Sequence, residues 1–112
     1  MSYEKELAAL ADPTRQAIVQ RLRAGPQNVA RLAAGFPISR PAVSQHLKVL
    51  SDAGLLNVTP QGTRRLYALN PEKMRDLRDW MTTLWDDALD AYALAAQDLA
   101  AQDLAKEGSP DD

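Results

Sequence analysis

The stretch Ile-Ser-Arg-Pro-Ala-Val-Ser-Gln-His-Leu-Lys-Val-Leu-Ser-Asp-Ala-Gly-Leu, residues 38–55, decides how the rest of the chain is read. Ser39 stands where a hydroxyl accepts from an unpaired amide of a first helical turn, and Pro41 fits that turn because it has no amide to lose. Gly54 marks the stop. At 100° per residue Val43, Leu47 and Leu50 fall on one side, while Pro41, Ser44, Gln45 and Lys48 collect on the other. One face is made for a core. The opposite face carries small, amide and cationic groups and no carboxylate before Asp52, which suits an element lying in the major groove of DNA. The same pattern describes an ordinary amphipathic surface helix, so the flanking sequence has to decide.

Upstream, Asp12-Pro13-Thr14 opens a helix whose inner face is Ala17, Ile18 and Leu22, and Gly25-Pro26 ends it. A brief helix follows, capped by Asn28, with Val29 and Leu32 inward and Gly35 closing it. Phe36-Pro37-Ile38 connects it to the central helix and supplies two apolar plugs. Residues 28–54 therefore read as helix, turn, helix. Downstream, Leu55 to Gln61 and Arg64 to Leu69 form a hairpin hinged at Gly62. Its tip, Gln61-Gly62-Thr63-Arg64-Arg65, is short and basic, so its arginines can reach phosphates or a minor groove beside the helix. Charge protection of an exposed strand edge is the plainer role for the same two residues.

A chain of 112 residues holds one core, and nearly half of it is apolar. No run has the length of a membrane span, and Met-Ser-Tyr-Glu-Lys-Glu lacks the order of a signal peptide, so a cytoplasmic location is expected. The absence of cysteine excludes disulfides, thiolate metal sites and thiol chemistry. The net charge of −2 conceals a segregation. From Pro13 to Leu69 eight cations face Asp52 alone, a net of +7, whereas from Asn70 onward eleven acids outnumber four cations, a net of −7. A basic body joined to an acidic end directs a polyanion to one region.

The two ends call for a partner surface. Ser2 to Leu10 forms a helix too short to stand alone, with Leu7 and Leu10 on one side. Asn70-Pro71-Glu72 opens a final helix running to about Lys106, about 50 Å if straight. Leu77, Met81, Leu84, Ala88, Tyr92, Ala95 and Leu99 recur along it at steps of three and four, widened by Trp80, Trp85 and Leu89. The economical assembly is a two-fold homodimer with Leu7, Leu10, Leu77, Trp80, Met81, Leu84, Trp85, Ala88 and Tyr92 in the interface. Residues 1–106 make one DNA-binding domain with terminal dimerisation helices, and 107–112 a disordered acidic tail.

Three stretches then resemble the ArsR/SmtB family of bacterial winged-helix repressors. They are Leu10-Ala11-Asp12-Pro13-Thr14-Arg15 with Ile18 and Leu22; Pro41 through Leu50 followed by Ala53-Gly54-Leu55; and the hairpin Gly62 to Leu69 followed by Asn70-Pro71. The likeness spans roughly residues 7–90. It implies a mainly α fold with a small β-hairpin, a winged helix-turn-helix in the order α-α-α-α-β-β-α with a long C-terminal dimerisation helix. It also implies a homodimer on double-stranded DNA, at an imperfect palindrome. Carried over residue by residue, Ser39, Arg40, Ser44, Gln45, His46 and Lys48 map onto the DNA-reading helix and Arg64 and Arg65 onto the wing.

Many such repressors release DNA on binding a metal, and here the chain departs from the pattern. Where the sensors carry a cysteine motif this one has Asn28-Val29-Ala30-Arg31-Leu32-Ala33-Ala34, and its C-terminal helix has no histidine. Asp79, Asp86, Asp87 and Asp90 could attract a weak hard cation, but carboxylates alone on an exposed helix are more often solvent-facing. His46, the sole histidine, lies on the flank of the apolar face of the central helix, placed for a phosphate or a packing contact. The chain looks like the metal-free branch, with no cofactor. A winged helix used for protein interaction is one alternative. Another is a small-molecule-responsive repressor in which Trp80, Met81, Trp85 and Tyr92 line an interface cavity rather than an ordinary core. An enzyme is not expected, because the sequence offers no nucleophile–base pair beyond an isolated His46, no glycine-rich phosphate loop and no paired carboxylates in an evident pocket.

Overall fold

The computed structural model describes residues 2–107. Along these the elements are α1 (Glu4–Leu10), α2 (Pro13–Arg21), a 3-10 turn (Leu22–Ala24), α3 (Val29–Ala33), α4 (Arg40–Asp52), β1 (Leu56–Gln61), β2 (Arg64–Leu69) and α5 (Pro71–Glu107). The chain packs as two units with the boundary after Leu77, and the core belongs to the first. The second is the remainder of α5. The fold is the winged helix-turn-helix implied by the family likeness. The tail expected over 107–112 lies outside the described residues except for Glu107, which is the last residue of α5.

Helix starts follow the caps read from the sequence. Asp12 Oδ1 accepts from the backbone N–H of Thr14 at 2.8 Å and of Arg15 at 3.0 Å, Asn28 Oδ1 from Arg31 at 2.9 Å, and Ser39 Oγ from Ala42 at 3.3 Å. Each satisfies an amide that the helix cannot. At the far end of α4 the Leu55 N–H donates to the Leu50 carbonyl at 3.0 Å and the Gly54 N–H to the Ser51 carbonyl at 2.9 Å. Gly54 adopts φ +79°, the left-handed conformation that this stop requires. Leu50 and Leu55, which the motif brings together, are both fully buried.

Val43, Leu47 and Leu50 of α4 meet Ile18 and Leu22 from α2 and its 3-10 turn, Leu32 of α3 and Leu55 in one core. Removing each such side chain from water contributes about 1.5–3 kcal/mol, which is why α4 forms the centre of the body. Phe36 and Ile38, the expected plugs, are half-buried. The Arg21 guanidinium lies 5.7 Å from the centre of the Phe36 ring.

The hairpin pairs Leu56 with Leu69 through to Gln61 with Arg64, leaving a two-residue loop of Gly62 and Thr63. Gly62 has φ +62° and Thr63 no positive φ, as a type II′ turn demands. Gln27 adds a third, single-residue rung: its N–H donates to the Tyr67 carbonyl at 2.9 Å and its carbonyl accepts from the Tyr67 N–H at 2.9 Å.

On α1 the buried residues are Tyr3, Glu6 and Ala9, a face that includes a carboxylate, while Leu7 and Leu10, expected to meet a partner, are half-buried in the single chain. One expectation for the ends needs correction. Leu77, expected on the dimer stripe, is buried in the core of the single chain. The exposed stripe therefore begins at Met81 and takes in Leu84, Trp85, Leu89, Tyr92 and Leu99, with Trp80 half-buried.

Candidate nucleic-acid interface

Because Val43, Leu47 and Leu50 turn one side of α4 into the core, Arg40, Pro41, Ser44, Gln45 and Lys48 are all left on the other, outward side. The short II′ turn keeps the hairpin tight, and Arg64 and Arg65 open β2 with both side chains exposed. These residues line one open groove of about 840 Å³, together with Asn28, Val29 and Ala30 from the start of α3 and Thr63 and Tyr67 from the hairpin. Of the eight positions predicted to contact DNA, Arg40, Ser44, Gln45, Lys48, Arg64 and Arg65 share this groove. Ser39 is exposed, with its hydroxyl engaged in capping α4. His46 stands apart: it is half-buried, with Nδ1 3.2 Å from Arg15 Nη1.

The groove is cationic with one exception. Asp52, four residues after Lys48, places its Oδ2 3.6 Å from Lys48 Nζ, both side chains being largely exposed. Such a pair contributes about 0.3–0.5 kcal/mol to stability, so Lys48 leaves it readily for a stronger anion. Ser51 also lines the groove, and its Oγ is buried without a hydrogen-bond partner.

At the edge of the body the Asp12 carboxyl is held below the usual carboxylate range. The backbone N–H of Arg15 is the foremost cause, opposed by partial desolvation and reinforced by the Thr14 N–H and the charge of Arg15.

Sequence reasoning missed the partner of His46 and the Gln27–Tyr67 rung. Both join residues far apart in the chain, and no local spacing announces them. Thr63 and Asn28 were legible as turn and cap; their place on the groove was not.

The chain has no thiol and a single imidazole, which faces Arg15. Among the described residues no three His, Asp or Glu side chains converge. Asp79 is bonded to Arg78 at 3.1 Å.

A helix-turn-helix with a basic wing sharing the groove of its second helix defines a winged-helix DNA-binding protein. Residues 10–59 match a family model described as a helix-turn-helix domain. The chain is 51% identical over 92 residues to the HTH-type transcriptional regulator Rv2034 of Mycobacterium tuberculosis, covering 82% of this chain and 86% of that protein. Among solved structures it is similar to the ArsR family transcriptional regulator RHA00566, at 33% identity and a TM-score of 0.67, over 73% of this chain and 90% of that one. It is also similar to the homodimeric winged helix-turn-helix DNA-binding domain Mb0332 of Mycobacterium bovis. There the identity is 26% and the TM-score 0.60, over 73% of this chain and 76% of that one. The chain belongs to the ArsR/SmtB family of transcriptional regulators, which are DNA-binding proteins and not enzymes.

Proposed function

We propose that the protein is a homodimeric, metal-independent repressor that binds an imperfect palindrome in the cytoplasm. The observation that carries this reading is the single groove in which the polar face of α4 and the wing arginines meet. In it Gln45 reads a base edge, most naturally adenine through its amide, while Ser44 and Arg40 read or position. Lys48, Arg64 and Arg65 neutralise phosphates. Two such grooves, carried by two copies, enter successive major grooves of one duplex.

The dimeric part of the reading rests on the apolar side chains from Met81 to Leu99 that the single chain leaves exposed. The M. bovis relative, described as homodimeric, supports it. Metal independence rests on the donor chemistry: no thiol, and no histidine on α5.

Electrophoretic mobility shift with the DNA upstream of its own gene, at low salt, tests the proposal. Retardation that survives competition by random duplex and is unchanged by added Zn(II), Cd(II) or arsenite is the expected result. No retardation at low salt overturns it in favour of a protein partner, and release of the duplex on adding one of these metals overturns metal independence.

A further inference from the structure

Arg15 lies in the first turn of α2 but its guanidinium serves two other helices. Nε donates to the Ala9 carbonyl at 2.6 Å and Nη2 to the Ala8 carbonyl at 3.4 Å, both in the last turn of α1. Nη1 lies 3.2 Å from Nδ1 of His46, in the middle of α4. Its own backbone N–H is held by Asp12 Oδ1 at 3.0 Å, which fixes where the side chain sets out. Gln16 completes the joint by donating from Nε2 to the Leu10 carbonyl at 2.7 Å. Side chains from the first turn of α2 therefore bond carbonyls in the last turn of α1, where a helix runs out of backbone donors; the Ala8 carbonyl also accepts from the Ala11 N–H at 3.3 Å.

A guanidinium has donors and no acceptor, so His46 Nδ1 must be the acceptor and the ring proton belongs on Nε2. The bond falls on the flank of α4, between its two working faces: Leu47 turns into the core and Gln45 into the groove. The apolar side of α4 sets how deeply the helix sits, but the attraction that buries it is itself non-directional. A hydrogen bond is directional. Side-chain ends lie about 5–6 Å from a helix axis, so a rotation of about 20° moves them about 2 Å, enough to break a base contact.

We infer that His46 acts in DNA reading as a positioning residue, through Arg15, rather than by touching DNA. The Arg15–His46 bond sets the rotation of α4 against α1 and α2, and so the aim of Ser44 and Gln45. This rests on the DNA-reading role proposed above.

Two substitutions separate the nitrogens of the ring. His46→Asn keeps an acceptor where Nδ1 stands and removes the far end; His46→Gln keeps a donor where Nε2 stands and removes the near acceptor. Each is compared with the unaltered protein by fluorescence anisotropy on the duplex upstream of its own gene and on a scrambled duplex, after circular dichroism has confirmed folding.

His46→Asn is expected to retain specific affinity within about twofold, and His46→Gln to lose roughly tenfold on the upstream duplex and little on the scrambled one. Arg15→Met, which keeps the stem and removes the donors, should lose specific affinity with an unchanged salt slope. The reverse order of the two His46 variants makes Nε2 a DNA contact and overturns the inference. So do equal effects of both, or a salt slope lowered by about one in Arg15→Met, which would place Arg15 on a phosphate. If the unaltered protein binds neither duplex, the functional reading itself has failed, a distinct result.

Discussion

Asn70 Nδ2 donates to the Gly54 carbonyl at 2.9 Å, and the Asn70 backbone N–H donates to the Leu55 carbonyl at the same distance, so the start of α5 is bonded to the exit from α4. Asn70 Oδ1 meanwhile accepts from the Lys73 N–H at 3.3 Å, capping α5. One half-buried side chain thus serves two helix ends. Asn70→Ala is expected to lower stability in urea by about 1–2 kcal/mol, since it removes the cap and leaves the Gly54 carbonyl short of a donor. Asn70→Asp, which caps but cannot donate, should fall between the unaltered protein and Asn70→Ala. Equal losses of stability in Asn70→Asp and Asn70→Ala would show that the cap contributes nothing.

The groove predicts a division of labour between Gln45 and the wing. Gln45→Ala should cost about 1–3 kcal/mol on the preferred duplex and relax the sequence preference, because an amide facing a base edge carries information. Arg64→Ala should weaken every duplex alike and lower the slope of log affinity against log salt by about one. Anisotropy titrations at several salt concentrations check both, and equal losses on preferred and random DNA for the two variants would refute the assignment.

Much of this was legible in the chain. Val43, Leu47 and Leu50 recur at helical spacing, and the capping residues Asp12, Asn28, Ser39 and Asn70 each precede the helix they start. These are local signals, set by residues that are neighbours in the chain. The inward face of α1 was not legible, because Glu6 is buried there, with Oε2 lacking a hydrogen-bond partner, against the usual preference of a carboxylate for water. Nor was the tie of His46 to Arg15, which joins residues 31 positions apart. The groove fell between these cases: its residues were legible one by one, but their convergence depends on the angle of the hairpin to α4.

Asp52 places a carboxylate in an otherwise cationic groove and holds Lys48 at 3.6 Å. Substituting Asn there leaves size unchanged and removes the repulsion toward phosphate. Asp52→Asn is expected to tighten binding to preferred and random duplexes together, eroding the ratio between them. Its effect on folding stability should stay within about 0.5 kcal/mol, as for other exposed helix pairs. Weaker DNA binding by this variant would mean that Asp52 instead accepts from a base.

The Asp12 cap predicts a pH dependence of definite sign. Its carboxyl is held below the usual range, chiefly by the Arg15 N–H, so the folded state binds its proton more weakly than the unfolded chain does. The stabilisation is complete above the unfolded value, about 3.9, and is lost as pH falls through the lower folded value. The gap in urea midpoint between the protein and Asp12→Ala should therefore be constant from about pH 5 to 7 and shrink below about pH 4. A gap that widened on acidification would contradict the cap.

The last prediction concerns α5, where the single chain leaves Leu84 51%, Trp85 60% and Tyr92 72% exposed. Large apolar side chains repeated along one helix at that exposure mark a surface that association covers. No cation lies between Asp79 and Ala105, so like charges oppose the approach of a second copy and apolar burial has to outweigh them. Leu84→Asp removes apolar area and adds one more repelling charge to each copy. Sedimentation velocity should then report a monomer at concentrations where the unaltered protein is a dimer. Affinity for the palindromic duplex should fall by at least about tenfold, because one half-site is held where two were, while affinity for a single half-site stays unchanged. A Leu84→Asp protein that remains dimeric would move the interface elsewhere. One that becomes monomeric yet binds the full palindrome undiminished would show that the two grooves do not act together.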